Sequence, residues 1–151
     1  MGLSDLYILA SILGDKTRNQ ILEYLLESHR TIDELAEKIG VSRTAIEKHI
    51  NILLRYGLVE RRAPSIGRLK YYYYINESAE TFLESFILTA ENYVSYRLDE
   101  VIDTINKLEQ AKQLGLLTDD EIKLRLEQLY EMKTKLEMMM GKKGGEELKT
   151  D

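Results

Sequence analysis

Residues 31–60 read TIDELAEKIGVSRTAIEKHINILLRYGLVE, and this stretch decides the fold. Thr31 followed by Glu34 has the spacing of a capping box, in which the hydroxyl takes a first-turn N–H and the carboxylate returns to the cap N–H. Leu35 and Ile39 recur at helical spacing, and Gly40 stops the helix, since glycine enters the left-handed backbone without a Cβ penalty. Ser42 is placed to cap the next start. In the second helix Ile46, Ile50, Leu53 and Leu54 keep the 3.6-residue period and predict a buried stripe. The opposite face carries Arg43, Thr44, Glu47, Lys48 and Asn51, types that bond phosphates or read base edges in a major groove. Two short helices with a tight turn between them predict a helix-turn-helix whose recognition helix covers about residues 42–56.

Upstream, Leu3, Leu6, Tyr7, Leu9, Ala10, Ile12 and Leu13 predict a helix too apolar for a small core to cover, with a second subunit taking part of it. Asp15 caps a following helix that runs to about Ser28 and turns Ile21, Leu22, Leu25 and Leu26 inward. Arg18 near its start is read as structural slightly ahead of phosphate contact, and His29 as an end-of-helix residue.

Downstream, Leu58–Ala63 and Leu69–Ile75 alternate and are rich in Tyr and Val, with Pro64, Ser65, Ile66 and Gly67 as the turn. This predicts a β-hairpin, a wing over about residues 61–70. Arg61, Arg62, Arg68 and Lys70 put four positive charges on it, suited to the backbone or minor groove. In the run Tyr71-Tyr72-Tyr73-Tyr74, period two predicts one pair packed on the helices and the other more exposed.

From Ser78 the spacing turns helical for roughly 35 residues, about 50 Å at the usual rise. The expected inward stripe is Phe82, Phe86, Ala90, Tyr93, Arg97, Val101, Ile105 and Leu108. After Gly115, Thr118 and Glu121 predict a second capping box, and Ile122, Leu126, Leu129, Leu136 and Met140 a heptad-like stripe broken at Lys133. The short turn implies antiparallel packing. The remaining apolar residues, including Val94, Leu98, Ile102 and Met138–Met140, then call for a partner, most simply another copy.

The expected fold is therefore mainly α with a small β-hairpin (α+β). A winged helix-turn-helix domain over residues 1–76 precedes a long coiled-coil-like helical hairpin for dimerisation over 77–140 and a disordered tail over 141–151.

Composition narrows the function. The 151-residue chain has no cysteine and only two histidines, which excludes thiolate chemistry and leaves little for imidazole. No apolar run approaches a membrane span, and the N-terminus lacks the features of a secretion signal, so the expected location is cytoplasmic and nucleoid-associated. The net charge of −5 is unevenly spread: residues 1–40 carry −3, residues 41–75 carry +5 and residues 76–151 carry −7. The positive charge lies where a DNA reader is predicted, and screening over roughly 8 Å lets a local patch outweigh the distant total.

Residues 12–75 also resemble the winged helix-turn-helix domain of ArsR-type transcriptional regulators, in an archaeal style. The resemblance rests on Ile12-Leu13-Gly14-Asp15, Thr17-Arg18, Ile21-Leu22, Leu35-Ala36, Val41-Ser42-Arg43-Thr44, His49, Leu53 and Gly57-Leu58-Val59-Glu60. It implies a DNA-binding regulator, and His49 matches a histidine common in such reader helices. Metal-sensing relatives often carry cysteines in the first reader helix or Asp and His after the wing. Here Leu35-Ala36-Glu37-Lys38 occupies the first place, and Asp99, Glu100 and Asp103 have no histidine nearby, so arsenic or zinc sensing is not expected.

The expected DNA-binding set is Thr31, Ser42, Arg43, Thr44, Glu47, Lys48, His49, Asn51, Arg61, Arg62, Arg68 and Lys70. Glu47 either accepts from a cytosine amino group or pairs with Arg43 one turn away. No catalytic residue, cofactor or metal ligand is expected. The partners are double-stranded DNA and a second copy of the chain, through the long C-terminal helices and the N-terminal helix. A sequence-specific homodimeric regulator is the leading function, with a weakly specific architectural chromatin protein or a protein-interaction module as alternatives.

Overall fold

The computed structural model describes residues 1–4, 6–63 and 70–141. The turn expected at Pro64–Gly67, Arg68, Leu69 and the tail from residue 142 lie outside these described residues. Along the described chain the elements are α1 Leu6–Leu13, α2 Lys16–Glu27, α3 Ile32–Ile39, α4 Arg43–Arg55, β1 Glu60–Arg62, β2 Tyr72–Tyr74, α5 Glu77–Gln113 and α6 Asp119–Met139. The architecture is mainly helical with a small antiparallel hairpin, as expected. The chain divides into two compact units, Met1–Glu84 and Ser85–Asp151.

In the first unit, side-chain caps set the helix boundaries. Asp15 accepts the Arg18 N–H to open α2, and Thr31 and Glu34 form the complete reciprocal box at the start of α3. Gly40 ends α3 at φ 78°, and Ser42 accepts the Ala45 N–H to open α4. With connections this short, α2, α3 and α4 pack around Ile21, Leu22, Leu25, Leu35, Ile46, Ile50 and Leu53, all buried. Each such aliphatic side chain contributes about 1.5–3 kcal/mol by leaving water. Ala79 and Leu83 of α5 enter the same core, which is why this unit continues past the hairpin.

Both strands are shorter than the alternation predicts. Leu58 and Val59 are core residues whose N–H groups return to the Leu53 carbonyl at the end of α4, so pairing begins only at Glu60. β1 then pairs antiparallel with β2, Glu60 opposite Tyr74 and Arg62 opposite Tyr72. On its other side β2 meets Arg30, which exchanges both backbone hydrogen bonds with Tyr73. Among the four tyrosines one ring, not a pair, is buried: Tyr73 is 5% exposed, whereas Tyr71 and Tyr72 are each 42% exposed. Tyr71 shares the inward side in register but precedes the strand, where the helices no longer cover it.

In the second unit the long helix buries Val94, Leu98, Val101 and Ile105, spaced four, three and four. This corrects the expected stripe, because Ala90 and Tyr93 are exposed and Arg97 is half-buried. The aliphatic series is in phase with the packed positions, and it buries no phenol or guanidinium. Val94 and Leu98, expected to await a partner, are already buried in the single chain. α6 returns along α5 after Gly115, at φ 68°; Leu129 packs with Val101 and Ile105, and the Tyr130 hydroxyl donates to Glu109. The second capping box is incomplete, since the Thr118 hydroxyl donates to the Glu121 carboxylate and takes no backbone N–H. Among the described residues no helix is long and apolar enough to cross a membrane.

Candidate nucleic-acid interface

α4 separates its two faces as its period predicts. Ile46, Ile50 and Leu53 are at most 1% exposed, while Arg43, Thr44, Glu47, Lys48 and Asn51 all face solvent. Ser42 is exposed at the helix start, with its hydroxyl engaged by the cap. Thr31 is different: it is 8% exposed, and its hydroxyl is taken up within the capping box.

His49 turns away from the outer face. Its side chain is 17% exposed, with Nδ1 3.5 Å from an Arg18 guanidinium nitrogen and 3.7 Å from the Asp15 carboxylate. Arg18 is the hub of this corner. Its Nε donates to the Ile12 carbonyl and its Nη2 to the Ser11 carbonyl, both at 2.7 Å, tying the end of α1 to the start of α2. The Asp15 carboxyl is held below its ordinary range, first by the Arg18 backbone N–H, with the charges of Arg18 and His49 adding to it against a burial penalty.

The outer face has a member that local spacing does not reveal. Asp33, in the first turn of α3, lies between Arg43 and Lys70: one oxygen is 3.0 Å from Arg43 Nη1 and the other accepts from Lys70 Nζ at 2.8 Å. The Lys70 hydrogen bond is the main reason its carboxyl sits below the ordinary range, with the charges of Arg43 and Lys70 adding to it and desolvation opposing. Glu47 stands 4.0 Å from Arg43 Nη2, the outer limit of an ion pair, so Asp33 is the nearer partner of Arg43. As a first-turn acid Asp33 looks like helix-dipole compensation, and nothing in sequence connects it to a lysine 37 positions away. Asp33, Arg43, Glu47, Asn51, Lys70 and Tyr71 line a cleft of about 310 Å³ between α3, α4 and the hairpin.

On the hairpin Arg61 lies 4.7 Å from the ring centre of Tyr71, and Arg62 5.8 Å from that of Tyr74. Strand alternation sends these two arginines to opposite faces. Stacking at an exposed site is worth about 0.5–1 kcal/mol and orients a guanidinium while leaving its N–H edge open. Glu60, the acid nearest them in sequence, accepts from the Tyr74 hydroxyl and from Asn76 Nδ2, both at 2.7 Å. Those two hydrogen bonds, Tyr74 first, hold its carboxyl below the ordinary range. Asn76 in turn accepts the Ala79 N–H at the start of α5, joining hairpin to helix. Among the described residues no three His, Asp or Glu side chains are grouped to hold a metal ion.

Comparison with known proteins agrees with this geometry. Residues 15–61 match the family model described as bacterial regulatory protein, arsR family. A comparison with curated proteins gives no match. Among solved structures, the chain is similar to the homodimeric winged helix-turn-helix DNA-binding domain of a possible ArsR-family transcriptional regulator from Mycobacterium bovis. That likeness has 23% identity over 62% of this chain and 85% of the other, with a TM-score of 0.53. Rv0081 of M. tuberculosis is similar at 24% identity over 61% of this chain and 95% of its own, with a TM-score of 0.51. HlyU of Vibrio cholerae N16961, in its reduced form, matches at 24% identity over 54% of this chain and 83% of its own, with a TM-score of 0.46. Over residues 15–61 this chain is thus similar to the helix-turn-helix of the arsR family, within a fold similar to that of solved winged helix-turn-helix domains.

Proposed function

We propose that the chain is a homodimeric, sequence-specific transcription regulator that inserts α4 into the major groove of double-stranded DNA and lays the hairpin on the adjacent backbone or minor groove. The observation that carries this reading is the outer face of α4. Arg43, Thr44, Lys48 and Asn51 project to solvent from a helix whose other side is fully anchored, within the one segment of net positive charge. Arg61 and Arg62 put positive charge on both faces of the hairpin, and Arg68 adds a charge to the same segment of sequence.

Two-fold assembly follows from apolar surface that the single chain leaves uncovered. In α1, Tyr7 is 74% and Ile8 49% exposed. In α5 every residue from 85 to 93 is exposed, although the stretch includes Ile87, Leu88 and Tyr93. A second copy covering these residues supplies the missing burial and pairs two reader helices, as half-site recognition requires. The similar Mycobacterium bovis domain is homodimeric, which supports the same arrangement here. With this chemistry the expected location is the cytoplasm, on the nucleoid.

The test is binding of the purified chain to duplex from upstream of its own gene and to an unrelated duplex, at two salt concentrations, with the mass in solution measured by light scattering. A dimer preferring the upstream duplex by about a thousandfold or more supports the reading. Equal, salt-labile binding to both would replace it with weakly specific packaging of DNA, and a monomer binding neither would refute it.

A further inference from the structure

The cleft between the reader helices and the hairpin holds two cations and two carboxylates in a segment otherwise rich in positive charge. Arg43 and Lys70 are not free to meet phosphate on equal terms with Lys48, because the two oxygens of Asp33 already engage them, at 3.0 Å and 2.8 Å. The ion pair from one Asp33 oxygen to Nη1 draws the Arg43 guanidinium to the α3 side of the cleft and narrows the directions open to its remaining N–H groups, which favours reading of a base edge over a free-swinging phosphate contact. A phosphate entering the same cleft meets the negative charges of Asp33 and Glu47 and must compete for both cations.

From this we infer that Asp33 is a specificity-determining residue: it aims Arg43 at a base edge, ties the base of the wing to the reader helix through Lys70, and repels non-specific phosphate from the cleft between them. Asp33 acts through its two partners and needs no DNA contact of its own. The inference rests on the DNA-binding reading and adds to it a device that lowers background binding.

The experiment compares wild type with Asp33→Asn, which keeps the shape and the helix start while removing the charge. Both are titrated onto the upstream and the unrelated duplex across a salt series, with circular dichroism confirming the fold. The variant is expected to bind the unrelated duplex about three- to tenfold more tightly, with the slope of log K against log salt steeper by about 0.9 to 1.8 as one or two cations become available. The preference for the upstream duplex should fall about tenfold. Lys70→Gln supplies a second arm: it should weaken unrelated-duplex binding more in the Asp33→Asn background than in wild type, where Asp33 already neutralises the lysine.

Unchanged slope and preference in Asp33→Asn, or additive effects of the two substitutions, would overturn the role of Asp33 while leaving the DNA reading standing. An equal loss on both duplexes would make Asp33 a structural support and overturn it as well. Wild type that binds neither duplex would remove the DNA reading and this inference together.

Discussion

Replacing Arg18 by methionine should undock α1, and the structure allows the size of the effect to be worked out. The guanidinium bonds two carbonyls at the end of α1, those of Ser11 and Ile12, at 2.7 Å each, and its side chain is only 12% exposed. A hydrogen bond to a charged group is worth about 1.5–3 kcal/mol net, the higher end applying where the orphaned partner cannot recover water. Ile12 is buried and Ser11 exposed, so the first carbonyl should cost about 2 kcal/mol and the second, at the low end, about 1.5, roughly 3.5 in all. Methionine preserves the packing of the stem, which isolates the polar loss. In urea unfolding followed by circular dichroism, that loss lowers the midpoint by roughly 1–2 M for a slope near 2 kcal/mol/M. Hydrogen exchange should accelerate in α1 before α3 or α4. Lysine at the same place keeps the charge but lacks the fork that reaches both carbonyls, and should recover less than half of the loss. A loss below about 0.5 kcal/mol, the scale of an ordinary surface change, would refute the clamp.

Other outcomes follow from the same geometry. Gly40→Ala meets no atom within 4 Å of the added Cβ, so its cost is the left-handed backbone alone, about 1–2 kcal/mol by chemical unfolding. Thr31→Val keeps the shape but removes the capping hydroxyl, and should cost about 1–2 kcal/mol in the same measurement. The folded-state pKa of Asp15 lies below its unfolded value, so its stabilisation is present above the unfolded value and is lost as pH falls through the folded one. Urea midpoints measured from about pH 6 down to about pH 2 should therefore decline more gently in Asp15→Asn than in wild type. Alanine at Arg43 or Lys48 should cost about 1–3 kcal/mol at one operator position if that side chain reads a base, and uniformly at every sequence if it holds a phosphate. Binding to single-base operator variants separates the two.

Much of the winged unit was legible from local chemistry. Asp15, Thr31, Gly40 and Ser42 cap and stop helices through atoms three or four residues away, and the Ile46-Ile50-Leu53 stripe follows from the period of a single helix. These are short-range effects, so spacing along the chain carries them. The outer face of α4 was legible for the same reason: once the buried stripe is known, Arg43, Thr44, Glu47, Lys48 and Asn51 have nowhere to point but outward.

Tertiary structure decided what depends on residues far apart in sequence. Phase along α5 chose Val94 and Leu98 over Ala90 and Tyr93, because a stripe with several near-equivalent periodic readings is settled only by what packs against it. Arg30 became the second neighbour of β2 although it lies between two helices, where periodicity predicts no strand. His49 turned inward to Asp15 and Arg18, and Asp33 came to rest between Arg43 and Lys70, since opposite charges meet wherever the fold brings their elements together. Caps and faces are properties of one helix and can be read from its sequence; charge pairs and burial phase belong to two or more elements and exist only after they have packed.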